Sequence, residues 1–534
     1  MECIKAIFIS MEKEYNVILK KGVDYDQFGN DMITITNKDG IPNREIEIAN
    51  ARLGSYRQTH YNLTDEEAAE VRNHPNVLEV EIPPENRDDV VIGHSGRQSG
   101  TFTKSPGTTQ EHVNYALLRS KHKNNTYGTG TELSEDYLFN LDGTGVDVVI
   151  QDSGIEANHP EWEDANGVSR LQQIDWGTAS GLGFTQSGNH YRDYHGHGTH
   201  VASTVAGKTF GWAKNARIYA LKVDGLEGTG DSGTAIAVSN CFDAIKMWHR
   251  NKPIDPKTGY KRPTIVNMSW GYLTTYSTVS SINYRGTSYT DSTITTATAR
   301  ESNYGLVNYY SNQFGAYVTN VRITSIDTDV EELVDEGVHV CIAAGNRRHK
   351  IDITSGTDYD NYAVTSGGTK YYHRGSSPSH NKAILVGSLD NNSYSSTLDQ
   401  KSTYSETGPA IDIWAHGSLI MAASSNTNQI GGYTYPYNNS YKQVAISGTS
   451  MATPQVSGVA TLILQANPGI TPAVLKTALK NQAGSAVWDG GNNNYDNNRS
   501  IQEAPAEVLF NKFGKVENCI EYSGTLDIPL TITF

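Results

Sequence analysis

The sequence predicts an α/β fold with a mostly parallel central sheet, preceded by a small α+β unit. Two observations carry this. From residue 146 onward, short β-branched runs at 146–150 (VDVVI), 217–223 (RIYALKV), 264–268 (TIVNM), 338–343 (VHVCIA) and 383–386 (AILV) alternate with helix-patterned segments such as 234–248 and 327–336. Continuous apolar runs between helices are the pattern of strands buried on both faces of a parallel sheet. Before residue 85 the texture differs: alternating strands flank one amphipathic helix.

In the N-terminal unit (1–85), residues 15–19 (YNVIL) alternate as a strand. Thr64 opens a helix, and Glu67 three residues later completes a capping box. Residues 76–82 (NVLEVEI) alternate again, as a strand with one buried face does. The polar segment PPENRDD from Pro83 reads as a boundary. Residues 86–140 carry few apolar patterns and read as a linker and irregular arm. The α/β domain is expected over 141–485, with an extra Thr-, Ser- and Tyr-rich segment at about 272–325. Residues 486–534 read as a tail, Asn- and Gly-rich at first and strand-like at its end (SGTLDIPLTITF).

The chain has 534 residues, and 43 Lys and Arg against 58 Asp and Glu give a formal charge of −15. An acidic balance argues against a partner recognised through a phosphate backbone, so no nucleic acid is expected. No run approaches the roughly 18–20 apolar residues of a membrane span, and no membrane partner is expected. The first residues lack the cleavage site of a Sec signal peptide. Cys3, Cys241, Cys341 and Cys519 are scattered and form no CxxC pair, which fits reduced thiols.

In an open α/β sheet, ligands gather at the carboxyl ends of the strands. Three predicted strands end in Asp152-Ser153-Gly154, Ser269-Trp270-Gly271 and Ala344-Gly345-Asn346. These place a carboxylate, a glycine-flanked backbone edge and a carboxamide on one rim. Two further segments bear chemistry: HGHGTHVA from His195, and SGTSMATP from Ser447. Ser450 follows a Gly-containing turn and opens an apolar helical run, where free amides and the helix dipole suit an oxyanion. Pro454 lies about one turn in, where its missing amide costs the helix little.

The blocks VIQDSGIEANHPE, HGHGTHVASTVAG, VNMSWG, AAGN and SGTSMATPQVSGVA resemble the signature blocks of the subtilisin-like serine proteases, in that family's order and over about 146–482. The resemblance implies a three-layer α/β fold and a serine endopeptidase. Residue by residue, it implies Ser450 as nucleophile, His197 as general base, Asp152 as the carboxylate that orients the imidazole, and Asn346 as an oxyanion donor. It further implies that Ser269, Trp270 and Gly271 on one edge, and Gly228, Thr229 and Gly230 on the other, clamp an extended protein or peptide substrate. No cofactor is implied for catalysis. A structural calcium ion stays open, without assigned ligands; the loops near Pro378 and Asp399 are oxygen-rich.

The N-terminal unit resembles, through residues 15–19, 63–68 and 74–81, the inhibitory prodomain of the same family. That implies an intramolecular inhibitor which is cut away. The chain as a whole is also similar to subtilases encoded by marine bacteriophages. The alternative function is therefore an idle structural or assembly component on a protease fold, and a cytoplasmic or particle-associated location is expected over Sec secretion.

Several residues carry plainer readings. The HxHxxH spacing of His195, His197 and His200 could bind a metal, but the further Asp and distant His ligands are missing, and His200 reads as a packed helix residue. Asp147 and Asp193 read as loop or strand-end charges, Asn267 as a plain strand residue, and His416 as a turn variant. Asp358, Asp360 and Asn361 look like a calcium-loop fragment, with a solvated turn the preferred reading. The segment at 272–325 leaves from the substrate edge, so either it shapes the cleft or it is a surface insertion.

Overall fold

The fold is described from a computed structural model, which describes residues 12–52, 55–83, 86, 96–105, 112–184, 191–223, 236–290, 304, 309–311, 316–427, 430–489 and 499–515. The chain forms two units, Met1–Ile92 and Gly93–Phe534.

The first unit is a four-stranded antiparallel sheet carrying two helices. Its elements are β1 (Lys13–Leu19), α1 (Tyr25–Ile33), β2 (Ile48–Asn50), β3 (Gln58–Leu63), α2 (Asp65–Arg72) and β4 (Val77–Glu81), with sheet order β2-β3-β1-β4. The Thr64 capping box is present: Thr64 Oγ1 accepts from Glu67 N at 3.2 Å, and Glu67 Oε2 accepts from Thr64 N at 2.9 Å. Strict alternation fails in β4. Ile18 pairs with Glu79 and Leu19 with Val77, so Leu78 is the extra residue of a bulge and sits 57% exposed. The bulge lets both Val77 and Val80 face the core.

The second unit is built on a six-stranded, all-parallel sheet: β5 (Asp147–Asp152), β6 (Arg217–Lys222), β7 (Thr264–Met268), β8 (His339–Ala343), β9 (Ile384–Leu389) and β10 (Ile413–His416), in the order β6-β5-β7-β8-β9-β10. The period of two sorts side chains into two cores. Val148, Ile150, Ala220, Ile265 and Val386 pack on α3 (His197–Ala206) and on α6 (Thr449–Ala466). Val149, Leu221, Val266, Met268 and Ile342 face the opposite way, onto α4 (Val238–Arg250) and α5 (Thr324–Asp335). These are the three layers the sequence implies. Each fully buried aliphatic side chain contributes about 1.5–3 kcal/mol, so both faces hold the sheet.

The expected arm and tail are corrected in part. Residues 112–121 are buried in this unit: Tyr115, Leu117, Leu118 and Arg119 are all 0% exposed. The helix Ala116–Arg119 is too short to show a period, and its burial comes from distant partners such as Asp399, which pairs with Arg119. Residues 507–509 cover the open edge of β10, with Trp414 N donating to Glu507 O and Leu509 N to Trp414 O, both at 2.8 Å. An uncovered edge would expose unpaired backbone groups. The strand-like end of the tail, SGTLDIPLTITF, lies outside the described residues.

The inserted segment forms small antiparallel sheets. Leu273–Tyr276 pairs with Ala316–Asn320, and the hairpin Ser281–Tyr284 with Thr287–Tyr289 pairs onward with Tyr362–Val364. Asp358 is not solvated. It is 3% exposed and accepts from Arg285 Nε and Nη2 at 2.7 and 2.9 Å and from Lys350 Nζ at 2.8 Å. The cations and Asn361 hold its carboxyl below the ordinary range, against the upward push of burial, which is the largest influence on it.

Candidate active site

Asp152, Ser269 and the Gly345-Asn346 turn stand at or just beyond the carboxyl ends of the neighbouring strands β5, β7 and β8. Two helices bring the remaining groups, and they pack against each other on one face of the sheet. α3 begins at His197 and α6 at Thr449.

His197 Nδ1 lies 2.8 Å from Asp152 Oδ1, which also accepts the Ser153 N–H at 2.8 Å. Asp152 is 3% exposed. A proton on Nδ1, donated to a carboxylate, makes Nε2 the basic nitrogen of the neutral ring. The helix start that carries His197 is held by Asp193, a residue the sequence reading leaves as a simple charge. Its Oδ1 accepts from Ser153 Oγ (2.9 Å), His195 N (3.1 Å) and Gly196 N (2.8 Å), while Oδ2 accepts from Thr199 N (2.9 Å) and Oγ1 (2.6 Å). A buried carboxylate here satisfies amides that a helix cannot pair internally. Gly198 is required by close approach, since a Cβ there would meet Gly154 O at 2.1 Å.

His200 is fully buried, its Nε2 facing Ile420 O at 2.9 Å and Val444 O at 3.2 Å, and burial pushes it down to about 3. His195 is also shifted down, chiefly by burial. Among the described residues no group of three or more His, Cys, Asp or Glu side chains could hold a metal ion. The Asp399 carboxylate, near which calcium stays open in the sequence reading, pairs with Arg119, accepts from Asn125 Nδ2 at 2.9 Å and faces His416 Nε2 at 3.3 Å. His416 is thus no turn variant; it ends β10, 3% exposed.

Ser450 is the second residue of α6. Its Oγ donates to Ser269 O at 3.0 Å, and Ser269 Oγ donates to Ser450 O at 2.9 Å. Asn267 is more than a plain strand residue: its Nδ2 donates to Ser269 Oγ and its Oδ1 accepts from Ser457 Oγ, both at 2.8 Å. Asn346 is fixed by its oxygen, which accepts from Thr449 N at 2.9 Å and Thr449 Oγ1 at 3.0 Å. Those donors settle which end of the carboxamide is which, and turn its NH₂ toward the Gly448–Ser450 turn, 3.5 Å from where a Gly448 Cβ would lie. A cavity of about 100 Å³ opens beside Ser450, walled by Trp270, Gly271, Leu273, Asn320, Asn346 and Arg347. The other expected clamp, Gly228, Thr229 and Gly230, lies outside the described residues.

The family model described as Subtilase family matches residues 143–503. A subtilisin-like serine protease of Cochliobolus lunatus is 26% identical over 80% of this chain and 66% of its own length. An alkaline serine exoprotease A of Vibrio alginolyticus is 25% identical over 66% of this chain and 44% of its own length. Subtilisin-like protease 4 of Trichophyton rubrum is 27% identical over 89% of this chain and 87% of its own. This chain therefore spans less than two thirds of the first two relatives. A crystal structure of a cold adapted subtilisin-like serine proteinase aligns at 23% identity over 74% of this chain and 97% of that one, with a TM-score of 0.45.

Proposed function

This chain belongs to the subtilase family, and on that premise we propose that it is a serine endopeptidase acting through an acyl-enzyme on Ser450. The observation that carries the reading is the 2.8 Å pair of His197 Nδ1 and Asp152 Oδ1, which sets Nε2 as the nitrogen that acts as base. In the reaction, the Ser450 hydroxyl turns from Ser269 O to His197 Nε2 and attacks the scissile carbonyl. The oxyanion that forms takes hydrogen bonds from Asn346 Nδ2 and from the Ser450 backbone amide, one of the first-turn amides that a helix leaves unpaired. His197 then protonates the leaving amine, and water repeats the sequence on the ester. Asp152 fixes the tautomer and favours the imidazolium. An extended substrate pairs its main chain with the edge at Ser269–Gly271, and its side chain enters the cavity at Trp270.

The same reading makes the N-terminal unit an inhibitory segment that the enzyme removes from itself, with the cut between about 82 and 113. The test is turnover of an unfolded protein substrate, together with intact mass, for wild type and Ser450→Ala. Turnover and loss of the N-terminal segment in the wild type alone support the reading. Equal turnover in both proteins contradicts it, and a folded wild type without turnover favours an idle scaffold.

A further inference from the structure

Glu406 is fully buried in the second unit, 0% exposed, in a loop before β10. It faces the turn that carries Asn346. Its Oε1 accepts from Arg347 N at 3.1 Å and from Asn320 Nδ2, its Oε2 accepts from His349 N, and its own N donates to Gly345 O at 3.1 Å. Three of the residues it grips, Gly345, Arg347 and Asn320, have a second place in the site. Gly345 and Arg347 flank Asn346, and Gly345 N donates to Thr449 Oγ1 at 3.1 Å, next to Ser450. Asn320 is the last residue of the inserted strand Ala316–Asn320 and walls the cavity beside Ser450. The fit is close: a Cβ on Gly345 would stand 3.0 Å from Glu406 Cγ and 3.1 Å from Asn320 Nδ2.

We propose that Glu406 is a positioning residue that locks the Gly345–His349 turn to the inserted strand, so that the insertion is a working wall of the substrate pocket and not a surface addition. This rests on the serine endopeptidase reading for its kinetic consequences, but not for the coupling itself. A carboxyl group suits the task because its two oxygens face three N–H donors from two separate segments at once. An apolar residue in its place would leave the Arg347 and His349 amides and the Asn320 carboxamide without this acceptor, and the turn free to shift. Oxyanion stabilisation depends on donor placement to a few tenths of an ångström, so such a shift acts on turnover. Asn320 in turn carries the effect to whatever side chain occupies the cavity.

The test uses full-length Glu406→Ala, Glu406→Gln and Asn320→Ala beside wild type, in two measurements. Amide hydrogen exchange over 345–349 reports the coupling whether or not the chain has activity. Peptide p-nitroanilides with alanine or leucine before the scissile bond, with kcat expressed per active site titrated by a fluorophosphonate, report the consequence. A merely structural role lowers the titre and leaves kcat per site unchanged. The expected result is exchange at 345–349 at least tenfold faster in Glu406→Ala, and kcat per site lowered tenfold or more with KM within about threefold. Glu406→Gln falls between, because its oxygen keeps two donors while its NH₂ opposes His349 N. Asn320→Ala changes the leucine-to-alanine ratio of kcat/KM at least fivefold. Unchanged exchange in Glu406→Ala, or kcat per site within twofold of wild type, overturns the proposal. If Glu406→Ala does not fold, the same two limits apply to Glu406→Gln and Asn320→Ala. A wild type that neither cleaves nor titrates removes the endopeptidase reading, and the exchange result then decides the coupling alone.

Discussion

Ser269 and Ser450 exchange hydrogen bonds: Ser269 Oγ donates to Ser450 O at 2.9 Å, and Ser450 Oγ donates to Ser269 O at 3.0 Å. Pro454 explains the first of these. In a regular helix the Ser450 carbonyl would accept from the amide four residues on, and a proline there has none to give. The strand-end hydroxyl fills the vacancy, and the helix start is thereby tied to β7. The second bond fixes the resting rotamer of the Ser450 hydroxyl.

Ser269→Ala removes the donor to Ser450 O and the acceptor for Asn267 Nδ2 together. A buried polar group left unmatched costs about 1–3 kcal/mol, so denaturant unfolding should show a loss of that size, with a fall in kcat larger than any change in KM. Stability and kcat both at wild-type values would show that this tie contributes nothing.

Asp193→Asn leaves the shape intact but replaces one acceptor oxygen with an N–H₂ group facing donors. The loss falls either on Thr199 or on Ser153, His195 and Gly196. Breaking a buried hydrogen-bonded network typically costs several kcal/mol, here about 2–4. Thermal unfolding should register it, and kcat should fall because the first turn of α3 carries His197.

Asn346→Ala should lower kcat by about 100- to 1000-fold with little change in KM, the loss known for the matching donor in a subtilisin. Active-site-titrated kinetics measure it. Because Asn346 Oδ1 also receives Thr449 N, the unfolding midpoint should drop as well.

Glu406 makes stability depend on pH. Burial raises its carboxyl from 4.5 to about 8, while the backbone amides of Arg347 and His349, Asn320 and Lys401 pull the other way. Below its unfolded value both states are protonated. As pH rises toward about 8, only the unfolded chain ionises, so the folded state loses stability by at most about 1.4 kcal/mol per pH unit. Unfolding free energies of wild type and Glu406→Gln between pH 5 and 8 should therefore diverge, with the downward slope shallower in the variant. Parallel curves would place Glu406 ionised throughout.

The strands of the second unit were legible because β-branched runs between helices have few other uses: 264–268 is β7 to the residue, and the polar groups ending β5, β7 and β8 meet at one rim. The capping box at Thr64 was legible because it is local. What stayed hidden depends on partners far along the chain. Asp358 meets Arg285, Asp399 meets Arg119, and Glu406 meets Asn320, and no local pattern marks such pairs. Tyr115–Arg119 looked irregular for the same reason. Asp193, by contrast, carries a local signal: it stands four residues before a Gly-flanked histidine that opens a helix, where a capping carboxylate belongs.

The most direct measurement is covalent labelling of the folded chain by a small fluorophosphonate, read by intact mass and peptide mapping. Labelling requires a serine activated by its neighbours. One adduct on Ser450 in the wild type, none in Ser450→Ala and a strongly slowed reaction in His197→Ala are the predicted results. A folded wild type that stays unlabelled, both as the full chain and after removal of the N-terminal unit, would contradict a serine endopeptidase built on Asp152, His197 and Ser450.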